Sequence, residues 1–224
     1  MKQSVYFIPG MSANSKIFER IHLNPEFYEI TSLEWLIPYA NEPFESYIDR
    51  FEKLVTKPNP IIIGVSFGGV IAQELGKRID CKQIVVISSI VSHSELSPSL
   101  KFIKKWKMYR LFPSRRIDFL LKVAKFVPKD STLGKKFKMY NVYLTNRDPN
   151  YLDWSMRMIL NWKNDSILPN LIRIHGTKDH IFPIQYIKKP VEIIEGGTHA
   201  MILVRGHEIS KILEKKLNMY EKHE

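Results

Sequence analysis

One run constrains this chain more than any other: Ile61-Ile62-Ile63-Gly64-Val65-Ser66-Phe67-Gly68-Gly69. An aliphatic run without polar alternation marks a strand covered on both faces. The glycines that follow it, and then Val70, Ile71, Leu75 and Ile79 at helical spacing, turn that strand directly into a helix over 67–79. A serine at such a turn is pushed outward, beside the unpaired N–H groups of the helix start. Glycine at 64 and 68 is expected because a side chain two residues to either side would crowd the serine hydroxyl. Ser66 is therefore the candidate nucleophile of an α/β protein.

The rest of the chain fits that frame. Strands are expected at Ser4–Ile8, Tyr28–Trp35, Pro60–Val65, Lys82–Ser89, Leu171–His175 and Val191–Ile194. Helices are expected at Phe44–Val55, started by Asn41 and Pro43, at Phe67–Ile79 and at Ala200–Met219. Alternation of this kind argues for a parallel sheet with helices on both faces. The interval Val91–Lys163 breaks it: no convincing strand, apolar residues suited to two or three short helices, and prolines at 98, 113, 128 and 149. At 224 residues the chain suits one core, assigned to 1–90 and 164–224, with 91–163 as a helical insert.

A nucleophilic serine needs a base, and the base needs an acid to hold it. Among the seven histidines, His199 has the best setting, on the glycine-rich loop Glu195-Gly196-Gly197-Thr198-His199 between the last strand and the last helix. His175 lies inside a strand and reads as structural; His22, His93, His207 and His223 read as surface residues. His180 is the rival base. The acid is placed at Asp179, in His175-Gly176-Thr177-Lys178-Asp179, on a loop leaving the C-terminal end of the fifth strand. Asp153, Asp165 and Glu195 are the alternatives.

Other classes are narrowed by composition. No apolar run reaches the length of a membrane span. The apolar start Val5–Pro9 is too short for a signal-peptide core, and Cys81 is the only cysteine, so a reducing cytoplasm is the expected location. The net charge is +11, and between Glu95 and Asp148 fourteen Lys and Arg stand against four acids. Such a segment is a solvated face or a site for an acidic partner. A carrier protein or a coenzyme A conjugate would suit it, whereas it matches no nucleic-acid module.

Taken together, Gly64–Gly69, the Gly176–Pro183 acid loop and the Gly196–His199 loop make the chain resemble the α/β-hydrolase superfamily, and within it the small capped esterases. The chain order Ser66, Asp179, His199 matches that of the superfamily. The resemblance implies a three-layer sandwich with a mostly parallel six-stranded sheet of order 2-1-3-4-5-6, the insert serving as a cap. It also implies an oxyanion hole from the backbone N–H groups of Met11 and Phe67, no cofactor or metal, and hydrolysis of an acyl ester through an acyl-enzyme. Acyl-thioesters on coenzyme A or a carrier protein are the alternative. A receptor or nucleic-acid-binding protein on the same fold is the non-enzymatic one. Pro9-Gly10 stands where family members often carry His-Gly, and the usual N-terminal antiparallel strands are missing.

Overall fold

The computed structural model describes residues 1–111, 139, 141–164, 167–169 and 171–221. Six strands, β1 (Gln3–Ile8), β2 (Tyr28–Ser32), β3 (Ile61–Val65), β4 (Gln83–Ile87), β5 (Leu171–Gly176) and β6 (Glu192–Ile194), form one sheet in the order β2-β1-β3-β4-β5-β6. Every pairing is parallel. The helices are α1 (Phe44–Glu52), α2 (Phe67–Gly76), α3 (Pro98–Lys105), α4 (Pro149–Asn161) and α5 (Gly206–Glu221).

The aliphatic strands alternate between two apolar layers. Tyr6, Ile8, Ile62, Ile84 and Val86 pack with Tyr47, Phe51, Val70, Leu75 and Trp154 on one face. Val5, Phe7, Ile61, Ile63, Val85 and Ile87 pack with Ile209, Leu213 and Leu217 on the other. Both faces being covered is why these strands read as unbroken apolar runs.

Three local expectations are corrected. The second strand stops at Ser32, and four of its five residues are exposed, as befits an edge. Leu33 N–H makes a last bond to Phe7 O (2.8 Å), after which the chain turns inward and Trp35 Nε1 donates to Gly10 O at 3.0 Å. The α1 start is set by Pro43, without a side-chain cap, rather than by Asn41. The last helix does not run from Ala200. A short 3₁₀ turn at Met201–Leu203 precedes α5, and Gly206 sits where a Cβ would fall 2.5 Å from Arg20 Cβ.

The expected insert divides in two. Its far end, α4, belongs to the main core: Trp154 Nε1 donates to Glu42 O (2.8 Å), and Tyr151 packs on Trp35 at 5.4 Å between ring centroids. Its near end carries α3. Most of the interval between them, including Phe119, Leu120, Val123 and Phe126, lies outside the described residues. Within the described part, Ala13 and Leu144 form an isolated antiparallel bridge that ties the insert to the loop after β1.

Candidate active site

Ser66 lies at the turn from β3 into α2, with φ 52° and ψ −117°. A non-glycine residue at such a φ is strained, and the surroundings hold it there. Ser66 N–H donates to Ile87 O (2.9 Å), while Ser66 O accepts from Gly69 N–H (3.0 Å) and from Ser89 Oγ (2.7 Å). The reason for the glycines differs from the expected one. A Cβ at 64 would meet Gly68 O at 2.2 Å, and one at 68 would meet Ile8 O and Pro9 O at 2.3 Å. Backbone packed against backbone, rather than the serine hydroxyl, excludes side chains there.

The loops after β5 and β6 bring the other two candidates to the same edge. His199 Nδ1 and Asp179 Oδ2 are 2.9 Å apart, and His199 Nε2 and Ser66 Oγ are 3.0 Å apart. A carboxylate only accepts, so Nδ1–H is the donor to Asp179, and Nε2 is left to accept from the serine hydroxyl. Asp179 Oδ1 accepts from the N–H groups of Ile181 (2.8 Å) and Phe182 (2.9 Å). Burial alone would raise the Asp179 pKa. The bonds from His175, His199 and Phe182 outweigh burial and hold the carboxyl well below the usual carboxylate range.

His175 proves to be more than a strand filler. It is buried, its Nε2 lies 2.8 Å from Phe182 O and 3.3 Å from Asp179 Oδ2, and both of those atoms are acceptors. Nε2–H is therefore the donor to the acid's own loop. His180 is exposed and away from this line, as are Asp153 and Glu195; Asp165 and His223 lie outside the described residues. His22 and His207 are exposed, whereas His93 is half-buried.

The amides of Met11 and Phe67 have no hydrogen-bond partner among the described residues. Gly10 brings the Met11 loop against Ser66, its ideal Cβ position lying 3.5 Å from Ser66 Cβ. Two features hold that loop and have no signature in the sequence. Trp35 bonds Gly10 O and stacks on Phe67 (5.4 Å, 16°), and Asn14 Nδ2 donates to Val142 O and Thr145 Oγ1 across a gap of more than a hundred residues. Above Ser66 and His199 opens a cavity of about 470 Å³, walled by apolar side chains such as Leu96, Leu100, Leu144, Met156, Ile159 and Phe182. Among the described residues no group of three or more His, Cys, Asp or Glu is placed to hold a metal ion. No helix among them is long and apolar enough to cross a membrane.

Residues 28–201 match the profile of the uncharacterised protein family UPF0227. The chain belongs to that family. No curated protein matches it. Among solved structures, this UPF0227 member is similar to a bromoperoxidase from Bacillus anthracis, with a TM-score of 0.71 at 15% identity over 97% of this chain and 92% of that one. It is also similar to a thermophilic esterase from Thermogutta terrifontis (0.69, 12%, 98% and 91%) and to the esterase EaEST from Exiguobacterium antarcticum (0.68, 16%, 98% and 92%). At these identities the likeness concerns the fold, which is that of the α/β-hydrolases.

Proposed function

We propose that the protein is a serine hydrolase that cleaves carboxylic esters bearing an apolar acyl group. The observation that carries this reading is the hydrogen-bonded line from Ser66 through His199 to Asp179 at the floor of an apolar cavity. A volume of about 470 Å³ is within the range of roughly 300–1,000 Å³ usual for small-molecule sites. The esterases of like fold support the same reading.

The chemistry follows from the geometry. Ser66 Oγ attacks the acyl carbon while His199 Nε2 takes the hydroxyl proton, and Asp179 holds the imidazole in the required tautomer. The Met11 and Phe67 N–H groups receive the oxyanion. Collapse breaks the C–O bond, and His199 returns its proton to the departing alcohol. Water, deprotonated by His199, then attacks the acyl-enzyme, releasing the acid and restoring Ser66. In this reading the catalytic core comprises 1–90, α4 and 164–224, and the rest of the segment between β4 and β5 supplies the cap.

A fluorophosphonate probe should label Ser66 and no other residue. Ser66→Ala should abolish labelling and lower turnover by about four to six orders of magnitude. Labelling that persists in the alanine variant overturns the assignment. A p-nitrophenyl ester series tests the pocket: kcat/KM should rise about fourfold per added methylene, the equivalent of about 0.8 kcal/mol of burial each, until the cavity is full. A flat response would show that the acyl chain lies elsewhere.

A further inference from the structure

Among the described residues of the insert, three lysines gather around His93. On the segment leaving β4, Lys104 Nζ donates to His93 Nε2 at 2.8 Å, and Lys101 Nζ donates to Ser94 O at 3.1 Å. Lys163, beyond α4, is brought to the same segment by its neighbour Asn164, whose Nδ2 donates to Val91 O at 2.8 Å, and its charge acts on both His93 and Lys104. Among the described residues, no acid forms an ion pair with any of these four. Glu95, the acid nearest in sequence, is fully buried and already bonded to Arg173 and to the N–H groups of Val91 and Lys188. The crowding is felt by the groups themselves. Burial, then Lys104, Lys101 and Lys163, hold the His93 pKa below its ordinary value; burial and Lys163 do the same to Lys104.

The cluster also borders the candidate site. Leu96 and Leu100 wall the apolar cavity; Lys104 follows Leu100 by one turn of α3, roughly 5 Å, and His93 opens the 3₁₀ turn that leads into Leu96. Among the described residues, the cavity wall carries no lysine or arginine. A charged group on a substrate would therefore find its counter-charge beside the cavity rather than within the described wall.

We propose that His93, Lys101, Lys104 and Lys163 form an anion subsite that takes a phosphate group carried on the part of the substrate outside the apolar cavity. Ammonium groups act as point charges with three donors each, which suits a tetrahedral oxyanion of high charge. A planar carboxylate would favour the arginine fork, which the cluster lacks. The role in substrate selection rests on the ester-cleaving reading of the cavity; the existence of the subsite does not.

Two measurements on the full chain test this separately. In the first, inorganic phosphate is titrated into the protein at constant ionic strength while the His93 ring and the neighbouring amides are followed by NMR. Saturable shifts are expected in the wild type, retained in Lys104→Arg and lost in Lys104→Ala. Shifts that sodium chloride reproduces, or that Lys104→Ala keeps, overturn the subsite whether or not the protein cleaves esters. In the second, kcat/KM is compared for a neutral ester and a phosphate-bearing ester of the same acyl chain. The ratio of phosphate-bearing to neutral should fall roughly tenfold or more in Lys104→Ala, the size expected for losing a charge-assisted hydrogen bond. It should hold in Lys105→Ala, which removes equal charge outside the cluster. An equal loss in both variants would show general attraction rather than a site. Phosphate binding with an unchanged ratio would overturn the substrate assignment and leave free phosphate as the ligand.

Discussion

Asp179 accepts from two backbone N–H groups and faces two histidines, and its side chain has no exposed surface. Asp179→Asn keeps the shape but favours the wrong tautomer of His199, so kcat should fall by about 10⁴ with little change in KM. Because the folded pKa is depressed, the ionised carboxylate stabilises the fold above its unfolded value of about 3.9, and that stability is lost as pH falls through the folded value. Urea unfolding should therefore show the gap between wild type and Asp179→Asn shrinking below about pH 4. A gap that widens there would contradict the sign. His175 is a positioning residue in the same line. His175→Phe leaves the Phe182 carbonyl without its donor and should cost about 1–3 kcal/mol. Ser66, Asp179 and His199, which the structure brings together, were legible as candidates because each sits in a short stretch with its own turn chemistry. The second histidine was not, since its role depends on a contact made only when the acid loop folds back.

At the scale of elements, the acid loop and the histidine loop behave as one piece. Lys178 N–H donates to Gly197 O (2.8 Å), Gly196 N–H donates to Thr177 Oγ1 (2.9 Å), and Thr177 Oγ1 donates to Glu195 Oε1 (3.1 Å). A Cβ at 176 would stand 2.2 Å from Gly197 O, so the two loops touch backbone to backbone. Gly176→Ala must part them and shift His199 against Asp179; kcat should drop by about 10² or more for a displacement near 1 Å. Gly196→Ala is the informative contrast. Its Cβ has room, the nearest atom being Arg205 Nη2 at 3.6 Å, but φ is +70°. It should cost about 1–2 kcal/mol of stability, read from urea unfolding, with a small effect on kcat.

Across the whole molecule, the insert is fastened to the sheet at points far apart in sequence. One fastening is the buried pair Arg173–Glu95 (2.9 Å), which joins β5 to the segment leaving β4; Arg173 Nη1 also bonds Lys188 O. Burial lowers the Arg173 pKa, and Glu95 only partly offsets it. Arg173→Met strands the Glu95 charge and should cost about 3–5 kcal/mol in urea unfolding. Adding Glu95→Gln should recover part of that loss, because no unpaired buried charge remains. If the double variant is as unstable as the single one, the pair acts through packing rather than charge.

The sequence by itself determined the sheet, its apolar faces and the turn that presents Ser66, because these depend on periodicity and on glycines acting over a few residues. It also pointed to Asp179 and His199, whose loops carry their own turn residues. Tertiary structure alone decided which backbones touch at those glycines and which groups hold the acid. It also decided that α4 joins the core, and that His93 and three lysines from both ends of the insert gather beside the cavity. Each of these is a contact between segments distant along the chain, where local pattern carries no record of the partner and only packing selects it.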